Sequence, residues 1–506
     1  MRSHRFSACA ALVALTFGSL APVREARAAG LYFGDRGVRP LGRGGAFVAG
    51  ADDLGAVAYN PAGVFDAGSQ FLFDASWVRF GNEYTRRAWV EQRDPNTGEV
   101  LGGSEVVYPT VRGQSAVLPL PTLAASFRLR DDLVLAVGAF APYAAIMSYP
   151  ELLGGKPAPQ RYSLLTLEGS GLGFVGSWLG WKPSERFRVG GGVELLVGKF
   201  GATTMFSACV PDRFLCAPEQ PDWDTLMQIT AGPIVAPSGV VGGKFLATPR
   251  VTLGAAVHAP FFVRAPVTVR SRLPSRGAFA SAVQEGDRGS IAFELPWTAS
   301  LGVEVRPLDA LRVELAASLQ GWGMHEAIRV SPDDVVLRNV VGFPDPYKLP
   351  TQRLERGFRD AVAVRLGGEY RLAFGDVALT LRGGGSFESS AVPPEKITVL
   401  TVDGPKGTVS VGTGISVGKW RFDAVYAHVF VGSTDLDPRD ARAPLLVPVQ
   451  ANAAPYYVNG GSYASSGDVL GIGLAYQLGS VAPPRHVEIE AAPSAAREKG
   501  EPASVR

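Results

Sequence analysis

The feature that most constrains this chain is period-two alternation, repeated in segment after segment and interrupted alternately by turns of a few residues and by long polar loops. In 310–322, Leu311, Val313, Leu315, Ala317 and Leu319 share one face, opposite Arg312, Glu314, Ala316, Ser318 and Gln320. In 359–372, Val362, Val364, Leu366 and Tyr370 oppose Arg365, Glu369 and Arg371; in 420–431, Trp420, Phe422, Ala424 and Tyr426 oppose Arg421, Asp423 and Val425. A helix would bring apolar residues back at spacings of three and four, so these segments are strands of a sheet with one apolar face.

The pattern predicts strands over 69–80, 116–129, 133–146, 169–181, 186–198, 238–247, 251–261, 291–306, 310–322, 359–372, 376–387, 409–418, 420–431 and 468–478, fourteen in all. Connections at 130–132, 182–185, 248–250, 307–309, 372–377 and 418–419 are tight, while those between run to tens of residues. A soluble sandwich or a secreted solenoid shows similar alternation. Charges and glycines at strand centres on the second face, with the long loops gathered at one end, point instead to a transmembrane β-barrel with short periplasmic turns. The expected fold is all-β: a 14-stranded antiparallel transmembrane barrel over 68–478. Trp77, Trp178, Trp181, Trp297, Trp322 and Trp420 are candidates for its two interfacial girdles.

The first residues read as a secretory signal peptide over 1–28, with Arg2 and Arg5 before an apolar run and Ala26-Arg27-Ala28 as a small-x-small cleavage site. Cys209 and Cys216, the cysteines of the mature chain, lie in one loop of an exported protein and are candidates for a disulfide. Past the leader no apolar run reaches the roughly 20 residues of a membrane helix. A mean hydropathy barely above zero fits a barrel, in which only alternate residues face lipid. A net charge of +2, with acids and bases interspersed, gives no reason to invoke nucleic acid. Residues 479–506 are polar, without alternation, and are expected to form a disordered periplasmic tail.

Before the first strand the chain reads Gly37-Val38-Arg39-Pro40-Leu41-Gly42-Arg43-Gly44-Gly45-Ala46-Phe47, and then Ala51-Asp52-Asp53-Leu54 through Tyr59-Asn60-Pro61-Ala62-Gly63. Together with Ala141-Pro142-Tyr143, Leu295-Pro296-Trp297 and the close from Asn459-Gly460 to Tyr476, this resembles the outer-membrane long-chain fatty acid transporter family, which includes aromatic-hydrocarbon channels. The resemblance implies that 29–67 form a lumenal hatch containing Asn60, Pro61 and Ala62. It also implies that cargo is captured among extracellular loops, passes to a lumenal site and leaves sideways at a kink in the third strand. Pro142 is the candidate for that gate, because proline removes a ladder donor. Glycines 42–45 lack the spacing and the βαβ setting of a nucleotide loop; compactness inside a lumen is their expected role.

Lumen-facing charges follow from the alternation. Arg365 and Arg382 could hold a carboxylate bidentately, with Glu304, Glu314 and Glu369 nearby; each could equally belong to a lumenal charge network. Long-chain fatty acid is the expected cargo on family breadth, with aromatic hydrocarbon as the alternative. A passive porin, a structural barrel and an outer-membrane lipid hydrolase are less well supported. His258, His325, His428 and His486 are scattered and the cysteines match no zinc pattern, so no metal, cofactor or catalytic constellation is expected. The expected partners are a hydrophobic small molecule, outer-membrane lipids and the secretion and barrel-assembly machinery, with the chain acting as a monomer.

Overall fold

A computed structural model describes residues 35–478 apart from 95, 98, 142–145, 211–213 and 451–454. The expected signal peptide and the expected C-terminal tail therefore lie outside the described residues, as does Pro142. Fourteen strands form one antiparallel ring. They are β1 (Gln70–Arg93), β2 (Val111–Ser115 and Pro119–Arg130), β3 (Leu133–Phe140), β4 (Gly171–Trp181), β5 (Phe187–Ser207), β6 (Asp224–Thr248) and β7 (Val251–His258 and Phe261–Arg272). The ring continues through β8 (Arg288–Leu295 and Thr298–Leu308), β9 (Leu311–Gln320), β10 (Ala361–Phe374), β11 (Val377–Glu388), β12 (Lys406–Val417), β13 (Trp420–Leu436) and β14 (Gly461–Gln477). It closes where β1 pairs with β14 from Gln70↔Gln477 to Arg86↔Gly461, so the first and last strands leave no free edge between them.

Sidedness follows the alternation. On β9, Leu315 and Leu319 face outward while Glu314 is wholly buried in the lumen; on β13, Phe422 and Tyr426 face outward while Asp423 is buried. Trp181 and Trp420 stand on the outer wall, as an interfacial girdle requires. Trp178 corrects the girdle expectation: it points inward and is fully buried, because Gly176 and Gly192 leave room for its indole. Trp322 is also buried, in the loop after β9.

Several strands outrun their expected ends. β1, β5, β6 and β14 continue beyond the apolar band, where no lipid enforces contrast between the faces. The third strand instead stops short, its ladder to β4 ending at Phe140↔Phe174 rather than at 146. β7 and β8 are each interrupted by a proline dipeptide, Ala259-Pro260 and Pro296-Trp297, and then continue to Arg272 and from Arg288.

The long connections pack over the outer end. Cys209 and Cys216 are joined by a disulfide in the β5–β6 loop. Beside it Phe214, Trp223, Phe279 and Phe343, from three different loops, form an aromatic cluster with Phe214–Trp223 ring centroids 5.2 Å apart. Ion pairs Arg86–Glu219 and Arg161–Asp224 tie the same cap to β1 and β6.

Asp403, in the β11–β12 loop, is 3% exposed, and its Oδ2 accepts hydrogen bonds from Ser390 Oγ at 2.7 Å and from the Ala391 and Val392 amides at 3.2 Å. Burial pushes its carboxyl up to about 7, against the pull of Lys406. A raised carboxyl favours the protonated folded form, so its contribution to loop stability is complete below about pH 4 and is lost as pH rises through about 7. Hydrogen exchange in 389–405, corrected for intrinsic rates, is expected to quicken from pH 5 to pH 8. Asp403→Asn should flatten that profile, and equal profiles for the two proteins would contradict the assignment.

Candidate functional site

The lumen is filled by the segment from Asp35 to Gly68, built of short turns rather than long elements: a helix at Val38–Gly42, 3-10 turns at Leu54–Ala58 and Pro61–Gly63, and a helix at Val64–Ala67. Local chemistry explains the turns. Asp53 caps the first 3-10 turn through Gly55 N–H at 2.9 Å, and Asn60 caps the second through Ala62 N–H at 3.1 Å, with Pro61 at the position that needs no donor. Asn60 also donates from Nδ2 to the Val48 carbonyl at 2.9 Å and to the Gly243 carbonyl on β6 at 3.1 Å. The Asn60-Pro61-Ala62 tripeptide is thus a rigid turn wedged against the wall, where Gly190 and Gly242 allow the backbones to approach.

The expected lumenal charges meet in one network between plug and wall. Glu314 accepts the Val48 and Ala49 amides on Oε1 at 2.6 and 2.8 Å, and the Gly50 amide on Oε2 at 2.9 Å. Arg43, fully buried, donates to Glu304 at 2.9 Å and to Glu314 at 3.2 Å. Glu369 receives Arg39 at 2.8 Å, Arg312 at 3.0 Å and Arg382 at 3.2 Å. Arg382 also reaches Asp423 at 2.7 Å, and Arg421 reaches Asp53 at 2.6 Å. Arg365 is held apart from this group, donating to Asp35 at 2.8 Å and to Ser318 Oγ at 2.7 Å.

Burial pushes the Asp52 carboxyl of the plug upward, but Arg312 and Arg39 outweigh it and hold the group below its usual range. Burial raises the Asp35 carboxyl despite Arg365. Arg365, Arg382, Glu304, Glu314 and Glu369 are all buried between wall and plug. Their plug partners Arg39, Arg43, Asp35, Asp52 and Asp53 were not anticipated.

Above the plug lies a cavity with an aromatic wall. Phe140 at the end of β3, Phe174 on β4 and Phe261 on β7 run in series, with centroid separations of 5.1 and 4.9 Å, and Trp178 continues the row 6.2 Å from Phe140. The rest of the lining is largely polar: Asp35, Arg36 and Tyr59 of the plug, Glu194 of β5, His258 of β7, Thr298 and Ser300 of β8, Ser318 and Gln320 of β9 and Arg365 of β10. A second, smaller and almost wholly apolar pocket lies among the outer loops, against Met227, Leu273, Phe279, Leu337, Leu349 and Val449. Between the two, Val263, Ala265, Val267 and Val269 of β7, Ile291 of β8 and Val330 in the connection after β9 are all buried.

The wall beside Phe140 has a gap in its ladder. Met147 and Ser148 pair again with β2, at Ser115 and Gln114, but among the described residues Gly171, Leu172 and Gly173 of β4 are paired only with β5.

A closed antiparallel barrel of this size, lined by charges and plugged by its own N-terminal segment, is an outer-membrane channel protein. The family model described as outer membrane protein transport protein (OMPP1/FadL/TodX) matches residues 20–475, and the chain belongs to that family. No curated protein sequence matches it. Among solved structures it is similar to a Pseudomonas aeruginosa FadL homologue, with a TM-score of 0.62 and 16% identity over 89% of this chain and 100% of that one. It is also similar to the Ralstonia pickettii toluene transporter TbuX and the Pseudomonas putida toluene transporter TodX, each with a TM-score of 0.55 and 14% identity over 88% of this chain and 98% of theirs. At such identities these structures establish a shared fold. The protein is an outer-membrane transport channel for hydrophobic substrates, and its family comprises channels rather than enzymes.

Proposed function

We propose that this channel imports neutral, ring-sized hydrophobic molecules of the aromatic-hydrocarbon class. The supporting observation is the engagement of the lumenal arginines. Arg382 is spent on Glu369 and Asp423, and Arg365 on Asp35 and Ser318, so neither presents an open fork to a carboxylate, while the cavity itself is walled by Phe140, Phe174 and Phe261. Cargo enters the apolar pocket among the outer loops, moves along the apolar inner faces of β7 and β8 and reaches the cavity beside Phe140. It leaves through the wall beside Phe140, with Pro142 as the gate residue and the Asn60-Pro61-Ala62 turn keeping the plug beneath closed.

Long-chain fatty acid is the competing reading, on the breadth of the family. Uptake of radiolabelled toluene and oleate distinguishes the two, measured in matched cells carrying the barrel, an empty vector, and a form with Asn60-Pro61-Ala62 replaced. Toluene uptake above background, with oleate at background, is the expected result. The reverse transfers the assignment to fatty acids, and passage of neither by correctly inserted protein removes it.

A further inference from the structure

Glu194 is a lumenal carboxyl that the plug network leaves out. It projects from β5 into the cavity, is 3% exposed, and shares the lining with Phe140, Phe174 and Phe261 and with polar groups that include Tyr59 and His258. Its Oε1 accepts the Trp178 indole N–H at 3.1 Å, which fixes the rotamer. Its Oε2 faces His258 Nδ1 at 4.0 Å, too far for a hydrogen bond but close enough for one small polar atom to reach both. A carboxyl oxygen that faces such a cavity, removed from bulk water, gains from any group that donates a hydrogen bond to it. Phe140, Phe174 and Phe261 line the cavity from this point as an aromatic wall on which a ring can lie, with Trp178 packed behind Phe140. The other charged groups lining the cavity are Arg36, which lies over Phe140, and the Asp35–Arg365 pair.

We propose that the Glu194–His258 end of the cavity is a subsite for a hydrogen-bond-donating head group, so that the channel prefers aromatic molecules bearing a hydroxyl or amine, the phenol and aniline classes, over plain hydrocarbons and over carboxylates. The hydroxyl or amine hydrogen is donated to Glu194 Oε2, the heteroatom sits within reach of His258, and the ring lies against Phe140 and Phe174. A carboxylate in the same place would set anionic oxygen against Glu194, and a methyl group would leave Oε2 without a donor. Such discrimination against an analogue lacking the donor is what a site built around a buried polar atom produces. This inference rests on the reading of the cavity as the cargo site.

Four probes of nearly one shape test it: p-cresol, p-toluidine, p-xylene and p-toluate, with affinities measured by calorimetry on the full barrel in lipid nanodiscs. Wild type is expected to bind p-cresol and p-toluidine about tenfold or more tighter than p-xylene, with p-toluate weakest. Glu194→Leu should bind p-xylene at least as well as wild type and lose the preference. Glu194→Gln, which keeps an acceptor, should retain part of it, and in both variants p-toluate should gain. Heat-modified gel mobility establishes that each variant forms a barrel. Equal affinity for p-cresol and p-xylene in wild type, or a preference that survives in Glu194→Leu, overturns the subsite while leaving hydrophobe binding intact. Binding of none of the four overturns the cavity as a cargo site and the subsite with it.

Discussion

Glu314→Ala is expected to release the plug. This side chain accepts three consecutive backbone amides, from Val48, Ala49 and Gly50, in addition to Arg43, so its removal strands three buried donors and half of the counter-charge of a fully buried guanidinium. Breaking a buried pair from one side costs about 3–5 kcal/mol, because the remaining charge stays buried. Glu304 still holds Arg43 at 2.9 Å, which favours a loosened plug over loss of the barrel. In planar bilayers the wild type should be almost non-conducting and the variant should show discrete ion-conducting openings, with protease cleaving within 35–67 only in the variant. A variant as silent and as protected as wild type would mean that Glu314 does not hold the plug. Glu314→Gln should be intermediate, since an amide oxygen can still accept but carries no charge for Arg43.

Gly367→Ala attacks the same closure by shape alone. On β10 the Gly367 backbone lies directly against the Arg43 carbonyl, and a Cβ built there falls inside the van der Waals radii of that oxygen and its carbon. These are backbone atoms on both sides, so no rotamer change relieves the clash, and a penalty at or above the usual ~1–3 kcal/mol of overpacking is expected. Gly383 on β11 is the matched control, because the nearest atom to its Cβ is the Ser410 carbonyl oxygen at 4.0 Å. Gly383→Ala should melt like wild type. Gly367→Ala should lose the plug's protease protection while keeping the barrel's heat-modified mobility. Identical protection in the two alanine variants would refute the close approach.

How far the fold could be read in the residues depended on where lipid enforces contrast. Within the apolar band the two-residue period is unambiguous, and β9, β10 and β13 lie where Leu315, Val364 and Phe422 place them. Above it both faces are wetted or covered by loops, and the pattern that should have carried β5 from 198 to Ser207 fades. In β7 the prolines do more than interrupt: His258 and Phe261 both line the cavity although three residues apart, so the alternation changes phase at Ala259-Pro260 and a single-period reading loses the strand.

The candidate site divides in the same way. That Arg365, Arg382, Glu304, Glu314 and Glu369 face inward was legible, since sidedness is local. Which of them would be neutralised was not, because Asp35 lies 330 residues from Arg365 and Asp53 lies 368 from Arg421. Glu194 went unnoticed although the alternation of 186–198 places it inward, between outward-facing Val193 and Leu195. Trp178, assigned to the lipid interface, is instead the group that aims Glu194.

Those long separations also set a timetable. The plug is the earliest part of the barrel domain to leave the ribosome and cross into the periplasm, yet Arg39 needs Glu369, Asp35 needs Arg365 and Asp53 needs Arg421, all on strands made near the end of the chain. Until the later strands have joined the wall, Arg39 has only its plug partners Asp52 and Asp53, at 2.6 and 3.1 Å, while Arg43 and Asp35 lack their wall partners Glu304, Glu314 and Arg365, and contacts so distant along the chain form slowly. The segment that appears first therefore settles last, and a half-built cylinder has an empty bore. Lids held in place by the final staves close only a vessel that is already whole, so the chain cannot seal an incomplete barrel, and a conducting hole is a hallmark of its unfinished state rather than of its working one.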